Sequence, residues 1–545
     1  MSDNKLKNKN AQNEVGAEHT FHGQGTVKFI EKETKKVDVW RVKPYMCKTK
    51  IIDIKTGTRV VMLNETEAKE HDIYSGFRTE IEYDHSKYVA IVDTTKELVQ
   101  PGEIGIFSDT ADELGIKKGQ KINVLHMNRP SSLEYIRKKM DGVSLSTEEI
   151  NTIVKDIMDG KLSEVETSAW VSSVYIKGLS DDEIISLTDA TVNSGEQLNL
   201  GKGPICDKHC VGGVAGNRTT MVIVPIIAAA KAYIPKTSSR SITSAAGTAD
   251  TMEVLADVTF NIDELKSIVK KSYGCIVWGG GLKLAPVDDK LIRIRHPLSL
   301  DPEGMLLASI LGKKKSVGAQ YVIIDIPVGR SAKVPFIERG QELAKHFLKI
   351  GDRIGMKIEA LITDGAEPVG NGIGPGLECR DVFEVLEGKG PEDLRHKSCM
   401  MAGKLLELSG KCEKNLGYDI AANLIDNGKA LSKMREIVEL QGGSKTVKSN
   451  DMPIGKYTYD FTASQSGQIF HIDNKTMSKI ARIAGAPTDK GAGVYLYKVR
   501  GDRVDKGQKV FTIHAESEQK LGFAIKALSA LEPIEMRKML LGTMV

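Results

Sequence analysis

The chain has 545 residues, 41% of them hydrophobic and 27% charged, and a formal net charge of +4 at pH 7. This length predicts several domains, because a single hydrophobic core stops growing well below that size. The composition is that of an ordinary soluble protein, and so small a net charge argues against a nucleic-acid-binding surface.

The first residues and the most apolar segment both argue against a membrane. Residues 1–22 have no apolar core, so we expect a disordered tail there and not a secretory signal. The run "MVIVPIIAAA" (221–230) is too short to span a bilayer and contains a proline. The seven cysteines are odd in number and scattered, which does not suit a disulfide framework and favours a reducing cytoplasm.

A strand-rich stretch over residues 23–128 contains an internal repeat. "AKEHDIYSGFRTEI" (68–81) and "ADELGIKKGQKINV" (111–124) place an alanine, an isoleucine and a glycine at the same spacing. Each segment predicts a short acidic helix, a glycine turn and an alternating strand. The simplest interpretation is a duplicated β domain that resembles a double-psi barrel, and chance similarity is the alternative.

The pattern becomes helical over residues 129–198. "SLSTEEINTIVKDIMDG" (144–160) begins with a capping-box signature, in which Ser146 or Thr147 precedes glutamates, and continues with apolar residues at helical spacing. "LSDDEIISLTDATVNSG" (179–195) repeats this order and stops at a glycine. These features predict a small helical domain.

Short apolar runs alternate with helices over residues 199–445. "GCIVWGG" (274–280), "QYVIIDIPVG" (320–329) and "KIEALITDG" (357–365) are typical of strands buried on both faces, which predicts a parallel sheet between helices. Ligands of such sheets bind at the loops that follow the strands. Residues 446–545 return to alternating strands and predict a β-rich C-terminal α+β domain. The fold class is therefore multidomain α/β.

The segment "DKHCVGGVAGNRTTMVIVPIIAAA" (207–230) has paired glycines between a lysine and an apolar helix. Glycines let backbone N–H groups point at an anion, and a helix N-terminus adds partial positive charge. A tight turn with a threonine helix cap is the alternative. Cys206, His209 and Cys210 have no second ligand pair at zinc spacing, so we expect no metal.

A second segment, "TSSRSITSAAGTADT" (237–251), holds eight hydroxyl side chains and one arginine. Short donors and a guanidinium suit a phosphate, and a solvated Ser/Thr loop is the alternative. Two such segments so close together favour a phosphate site. "GNGIGPG" (370–376) resembles a dinucleotide fingerprint loosely and is interpreted as a loop, because it does not open a helix directly.

These two segments together resemble the thymidine and pyrimidine-nucleoside phosphorylase family. The likeness continues through "RIRHPLSLDPEGMLLASILGKK" (293–314) and "IDIPVGRSAK" (324–333) and covers residues of about 130 to 545. The duplicated N-terminal domain is similar to the extra domain of archaeal-type AMP phosphorylases. The resemblance divides the chain further, because residues 288–316 join the helical domain and interrupt the α/β domain, with an active site between the two.

The resemblance implies phosphorolysis, in which inorganic phosphate attacks C1′ of a ribosyl group and the base departs. AMP would give adenine and ribose 1,5-bisphosphate, with CMP and UMP left open as substrates. No cofactor is implied, and the family works as homodimers or larger homo-oligomers. A thymidine or pyrimidine-nucleoside phosphorylase is the alternative enzyme, and a non-catalytic nucleotide-binding protein is the alternative of another class.

Four departures favour the nucleotide-using branch over thymidine. Cys210 stands where the nucleoside enzymes have serine, and Ala215-Gly216 makes the glycine loop one residue longer. "SSRS" (238–241) replaces their "SGRG", and Ile292 aligns with a tyrosine of their pyrimidine site.

The resemblance also implies roles for individual residues. Asp301 matches the family's proton donor, and His209 is a second candidate acid. From its neighbours alone, Asp301 is a helix N-cap before Pro302 at the first helical position. The substrate- and phosphate-binding positions carried over are Lys208, Gly213, Ser239, Arg240, Ser241, Ile242, Thr243, Ser244, Thr248, Arg295, Ser309, Lys313 and Lys333.

Overall fold

The computed structural model describes residues 45–127, 129–241 and 244–537. The chain forms two units, Met1–Asn128 and Arg129–Val545. The tail expected at residues 1–22 lies outside the described residues, as do Ile242 and Thr243.

Residues 45–127 of the first unit form a closed six-stranded barrel with two short helices. Its elements are β1 (Tyr45–Ile52), β2 (Val60–Asn64), α1 (Glu65–Glu70), β3 (Arg78–Tyr83), β4 (Ser86–Thr95), β5 (Glu103–Phe107), α2 (Ser108–Leu114) and β6 (Lys121–His126). Around the barrel the strands follow the order β1-β5-β2-β4-β3-β6. Strand β1 runs parallel to β5 and antiparallel to β6, and β4 runs parallel to β2 and antiparallel to β3. If β4, β5 and β6 take the places of β1, β2 and β3, and the reverse, the same strands remain neighbours and run in the same relative directions. The barrel therefore consists of two equivalent halves.

The residues of the sequence repeat take equivalent places in the two halves. Ile73 and Ile116 follow the short helices and are buried in the barrel core. Gly76 and Gly119 then turn the chain with φ of 82° and 84°, a conformation that favours glycine. The common spacing thus reflects one helix-turn-strand unit used twice.

In the second unit, four helices follow one another at the start: α3 (Ser132–Met140), α4 (Thr147–Met158), α5 (Glu164–Lys177) and α6 (Asp181–Asn193). Ser146 caps α4 in a reciprocal capping box with Glu149, as the sequence predicts. Ser180 and Glu183 form the same box at α6. Each box satisfies backbone N–H groups that a helix start leaves without partners.

The α/β part alternates strands and helices. Its elements are β7 (Cys206–Cys210), α7 (Thr219–Ala229), β8 (Ile234–Ser238), α8 (Thr248–Met252), α9 (Ile262–Ser272), β9 (Gly274–Trp278), α10 (Pro286–Arg295), α11 (Glu303–Ser316), β10 (Tyr321–Val328), α12 (Ile337–Arg353), β11 (Lys357–Asp364), β12 (Gly372–Ile373), α13 (Pro375–Leu386), α14 (Glu392–Leu408), α15 (Gly417–Asp426) and α16 (Lys429–Leu440). Helices α10 and α11 contribute Val287, Leu291, Met305 and Ala308 to the core of the helical bundle. They therefore join the α/β part to the bundle.

The three predicted strands of this part are confirmed as β9, β10 and β11. The parallel sheet consists of two pieces, β11-β10-β7 and β8-β9, with one parallel bridge between Ile205 and Tyr233. The expectation that all three strands are buried on both faces is wrong for β11. This strand lies at the sheet edge and most of its side chains are partly exposed.

The segment "GNGIGPG" is not the simple loop that the sequence suggested. Gly372 and Ile373 form β12, which pairs with a C-terminal strand, and α13 begins at Pro375 inside the motif. Gly374 has a φ of 128° and lies against the Ala492 backbone, where a Cβ would come within 2.3 Å of the carbonyl oxygen. The glycine therefore permits a close approach between two chain segments, and the motif does open a helix.

The C-terminal part contains β13 (Tyr457–Thr462), β14 (Gly467–Ile472), α17 (Asn474–Ile483), β15 (Gly493–Leu496), β16 (Arg503–Val504), β17 (Lys509–Ala515), α18 (Glu518–Leu528) and β18 (Ile534–Met536). Its strands form two sheets, β12-β15-β17-β13 and β16-β14-β18. Its core includes Ala215 and Ala245, which belong to the two glycine- and hydroxyl-rich segments. Within the described residues, every helix is too short or too polar to cross a bilayer.

Candidate active site

The first glycine-rich segment forms a loop between β7 and α7. Lys208 on β7 is almost fully buried, and its Nζ donates to Thr219 Oγ1 at 2.9 Å. Helix α7 begins at Thr219 after Arg218, and no side chain caps it. The alternative of a threonine-capped turn is therefore wrong, because the Thr219 hydroxyl holds a lysine and does not cap the helix.

Two buried carboxylates near this loop are each shared by two buried lysines. Lys208 Nζ and Lys397 Nζ lie 3.6 Å and 3.7 Å from Asp325 Oδ2. At the second carboxylate, Lys236 Nζ lies 3.3 Å from Asp207 Oδ1 and Lys314 Nζ lies 2.7 Å from Asp207 Oδ2. We call these six side chains the lysine cluster. It has more buried positive than negative groups, which is costly without an anion.

Burial changes the ionisation of this cluster. It lowers the pKa of Lys208, and it lowers the pKa of Lys236 to about 7 even though Asp207 acts in the opposite direction. Burial alone would raise the pKa of Asp325, but Lys208 and Lys397 hold it below its ordinary value. The Lys397 ammonium is buried without a hydrogen-bond partner. A phosphate placed here would favour the charged form of these lysines.

His209 follows Lys208 on β7. Burial and the charges of Lys314, Lys236 and Lys208 lower the pKa of His209 well below its ordinary value. The imidazole is therefore neutral at pH 7 and can donate or accept a hydrogen bond, but it holds no extra proton to deliver. This disfavours His209 as an acid. Burial next to Asp325 raises the pKa of Cys210 to about 11, so its thiol is not ionised.

Gly213 brings the end of the α/β sheet against the first loop. It has a φ of 92°, and a Cβ there would lie 2.3 Å from the backbone nitrogen of Lys333. Lys333 follows β10, and its ammonium contacts the Asp301 carboxylate. Arg295 Nη1 lies 3.6 Å from Asp301 Oδ1 on the other side. The predicted residues Gly213, Lys333, Asp301 and Arg295 are therefore joined in space.

Asp301 is not the helix cap that its sequence neighbours suggested. Helix α11 begins at Glu303, with Pro302 in the cap position and no side-chain cap. The Asp301 side chain is 40% exposed and lies between two cations. Ionic contacts with Lys333 and Arg295, and not a helix terminus, therefore fix the position of Asp301.

Asp288 on α10 holds three of the predicted substrate residues together. Its Oδ2 accepts a hydrogen bond from Ser309 Oγ at 2.7 Å and lies 2.6 Å from Lys313 Nζ, and its Oδ1 lies 3.5 Å from Arg295 Nη2. Arg295 is buried, and its Nε and Nη1 have no hydrogen-bond partner. The guanidinium therefore has unused donors beside Asp301.

The hydroxyl-rich segment forms a loop between β8 and α8. Its carboxylate Asp250 is buried and accepts from Ser241 N at 2.7 Å and from Gly247 N at 2.8 Å. Ser244 Oγ donates to Ala246 O at 2.9 Å, and Ser239 is exposed. The loop is thus folded around a carboxylate and is not a freely solvated Ser/Thr stretch.

Arg240 does not present an unpaired guanidinium to a ligand, as the sequence suggested. It donates to Glu253 through Nη1 at 2.8 Å and Nη2 at 2.5 Å, and to Asp250 through Nη1 at 3.2 Å. The pKa of Glu253 falls to about 2, mainly because it accepts from Arg240. The pair is partly exposed, with the guanidinium 5.1 Å from the Trp278 ring centre. A ligand anion would have to compete with Glu253 for Arg240.

Arg218 connects the two loops. Its Nη1 donates to Thr248 Oγ1 at 3.2 Å and its Nη2 to Ala246 O at 2.6 Å, and its Nε contacts the buried Glu378. Together with the contacts of Gly213, Lys333 and Asp301, this links the described predicted residues into one region. Ile242 and Thr243 lie outside the described residues.

Three segments of the second unit match known protein families. Residues 133–195 match the helical bundle domain of the glycosyl transferase family, residues 202–431 its a/b domain, and residues 469–535 the pyrimidine nucleoside phosphorylase C-terminal domain. AMP phosphorylase from Thermococcus kodakarensis is 45% identical over 495 residues, which cover 91% of this chain and 98% of that protein. The chain belongs to the AMP phosphorylase family. AMP phosphorylase 1 from Archaeoglobus fulgidus is 45% identical over 491 residues, 90% of this chain and 97% of that protein.

A solved structure is also similar to part of this AMP phosphorylase family member. The crystal structure of anthranilate phosphoribosyltransferase (TrpD) from Thermus thermophilus covers 56% of this chain and 98% of its own, with a TM-score of 0.49 and 17% identity.

Several residues of the AMP phosphorylase family member's site were missed from the sequence. They contact the predicted residues, or contact one of those partners, through ion pairs or hydrogen bonds: Arg218, Asp250, Glu253, Asp288, Asp325 and Lys397. The role of Asp288 could have been predicted from the sequence. Positions 288, 291 and 295 share one buried face of a helix, and a carboxylate on a buried face requires cationic partners. In the described part of the chain, no group of three or more His, Cys, Asp or Glu side chains is placed to hold a metal ion.

Proposed function

We propose that the chain catalyses the phosphorolysis of AMP by inorganic phosphate, giving adenine and ribose 1,5-bisphosphate. The observation that carries this proposal is the lysine cluster beneath the first loop, whose buried positive charge calls for an anion next to Lys208 and Gly213. Membership of the AMP phosphorylase family supports it, because the curated relatives bear that name. CMP and UMP are further candidate substrates.

In the proposed reaction, inorganic phosphate is held by Lys208, Gly213 and Thr248. One phosphate oxygen forms a bond to C1′ of the ribose, the bond from C1′ to the base nitrogen breaks, and its electron pair stays with the base. Asp301 gives a proton to the departing base, which leaves more easily when protonated. Arg295 and Lys313 contact the base, and Ser309 and Lys333 contact the rest of the substrate.

The contact between Lys333 and Asp301 connects the proposed proton donor to the substrate site. A phosphate group of the substrate would compete with Asp301 for the Lys333 ammonium. Movement of the helical bundle toward the α/β part would remove water from the site and so limit hydrolysis.

Two finer features belong to this proposal. Around the barrel of the first unit, strands of one half (β1–β3) alternate with strands of the other half (β4–β6), and this order supports its assignment as a double-psi barrel. Assembly into a homodimer or a larger homo-oligomer is supported by large apolar side chains left exposed on α5, where Val165 is 80% and Ile176 72% exposed.

A substrate panel tests the proposed activity. AMP, CMP, UMP, their nucleosides and thymidine are each incubated with the full chain, with and without inorganic phosphate, and base release is measured. We expect phosphate-dependent release of adenine from AMP. A preference for thymidine would establish the nucleoside phosphorylase alternative. AMP binding in calorimetry without any product after long incubation would establish a non-catalytic nucleotide-binding protein.

A further inference from the structure

The C-terminal part of the chain is fixed against both loops of the site. Helix α17 begins at Asn474, whose Oδ1 accepts from Ala215 N at 3.0 Å in the first loop. Met477 and Ala481 on the same helix share a hydrophobic core with Ala215 and Ala245. The last turn of α17 therefore has a defined position beside the hydroxyl-rich loop.

Two cations of this C-terminal part reach the hydroxyl-rich loop. Arg482, in the last turn of α17, directs Nη1 to Ser244 O at 3.3 Å and to Ser241 Oγ at 3.5 Å. Lys490 Nζ lies 2.7 Å from Glu253 Oε2 and 3.4 Å from Asp250 O. Both positive groups thus lie within contact distance of the loop that carries the expected substrate- and phosphate-binding positions Ser239, Arg240, Ser241 and Ser244.

Glu253 is shared between two cations. It accepts from Arg240 through both carboxylate oxygens and pairs with Lys490 through Oε2. If a phosphate group takes over Arg240, Lys490 can keep Glu253 paired, so that no carboxylate is left alone. Arg482 brings a further positive charge to Ser241 and Ser244 of the loop, next to the place where Asp250 accepts a hydrogen bond from the Ser241 backbone.

We propose that Arg482 is a specificity residue that binds the 5′-phosphate of the substrate, and that Lys490 is a positioning residue that holds Glu253 and so releases Arg240 for the same phosphate. This inference rests on the proposed function and deepens it. It assigns to the C-terminal part the distinction between a nucleotide and a nucleoside. A planar guanidinium can make two parallel hydrogen bonds to a phosphate, which suits Arg482 to this role.

The test for Arg482 compares AMP with adenosine in the full chain. For Arg482→Ala we expect kcat/KM for AMP to fall by about tenfold or more, since charge-assisted hydrogen bonds are the strong ones, while kcat/KM for adenosine stays unchanged. Arg482→Lys should be intermediate. Lys479→Ala removes a positive charge from the same helix at an exposed position and should leave both values as they are.

The outcomes separate the two proposals. Adenine release from AMP by the unaltered chain tests the proposed function without any variant. Equal losses for AMP and adenosine in Arg482→Ala, or no loss for either, would overturn the inference while the function stands. Where adenosine turnover is too slow to follow, the ratio of AMP to adenosine affinity measured by calorimetry gives the same comparison, and thermal unfolding shows whether Arg482→Ala is folded.

The effect of Lys490 on KM and kcat for AMP tests its role separately. Lys490→Ala should raise KM for AMP with little change in kcat, because Glu253 then keeps Arg240. Replacing Glu253 as well, in Lys490→Ala/Glu253→Gln, should restore part of the AMP affinity, since a neutral amide competes less for the guanidinium. If the double variant binds AMP no more tightly than Lys490→Ala does, Lys490 does not act through Glu253.

Discussion

The Asp301 carboxylate is in direct contact with the Lys333 ammonium, although the two residues belong to different parts of the second unit. Asp301 precedes α11, which packs on the helical bundle, and Lys333 follows β10 of the parallel sheet. The residue proposed to donate the proton is therefore paired with a residue proposed to bind substrate.

Asp301→Asn should abolish most turnover while AMP still binds. An amide cannot deliver the proton, so we expect kcat to fall by about 100-fold or more. The side chain is 40% exposed, so the unfolding midpoint should change little. Adenine release, AMP calorimetry and thermal unfolding measure the three quantities. Turnover near that of the unaltered chain would remove Asp301 from the reaction.

Gly213→Ala should damage the site through the Lys333 backbone. Both Gly213 and Gly212 have positive φ, of 92° and 98°, so alanine is strained at either position. Only at Gly213 would the added Cβ meet another segment, 2.3 Å from Lys333 N, whereas at Gly212 nothing lies within 4 Å.

Gly212→Ala is thus the matched control for backbone strain. We expect kcat/KM for AMP to fall at least about tenfold further in Gly213→Ala than in Gly212→Ala, because a displacement of about an ångström in a positioning segment is costly. Equal effects of the two substitutions on kcat/KM would show that the approach of Lys333 to the loop is unimportant.

Asp288→Asn should weaken both folding and substrate binding. It removes the buried negative charge that faces Lys313 and the buried Arg295, and we expect the free energy of unfolding to fall by about 3 kcal/mol. KM for AMP should rise because Ser309 and Lys313 lose their common anchor. The control is Asp189→Asn, which breaks a partly exposed pair with Lys315 on the same helix α11 and should cost less than about 1 kcal/mol. Denaturant unfolding that gave both variants the same loss would contradict the role of Asp288.

The lowered pKa of Lys236 predicts that the free energy of unfolding depends on pH. The folded chain releases the Lys236 proton near pH 7, whereas the unfolded chain keeps it up to about its ordinary pKa of 10.5. Between these values unfolding takes up a proton, so the contribution of Lys236 makes the free energy of unfolding rise with pH. Lys236→Met should flatten this rise in denaturant unfolding measured from pH 7 to pH 10. The control is Lys411→Met, because Lys411 is exposed and donates to Lys231 O. It should leave the slope of unfolding free energy against pH unchanged.

Features that depend on neighbouring residues in the chain were predictable. Three such features follow from local patterns: the capping boxes at Ser146 and Ser180, the strand that ends before each of the two loops of the site, and the helix repeat of the first unit. The start of α11 shows the limit of such patterns. The sequence Asp-Pro-Glu suggested a cap at Asp301, but the ionic contact with Lys333 holds that side chain elsewhere.

Features that depend on distant partners were not predictable. The pairing of Arg240 with Glu253 and the connection of Arg218 to Thr248 arise only when α8 folds back on the loops. The half-exposed state of β11 follows from its position at the sheet edge, which no local pattern encodes. The residue types in the two loops predicted candidate positions for binding an anion, and tertiary contacts decide which of those side chains are already paired with carboxylates.

The alternating strand order of the N-terminal barrel has a consequence for how that unit folds. Every hydrogen-bonded neighbour of β1, β2 and β3 comes from the set β4, β5 and β6. Neither half can therefore form a hydrogen-bonded pair of strands by itself. The strands of one half pair only with strands of the other half, as in an intertwined dimer, but both halves belong to one chain. Cleavage between Asp84 and His85, in the turn that joins the halves, would separate β1–β3 from β4–β6, and each set should form its strands only when the two fragments recombine.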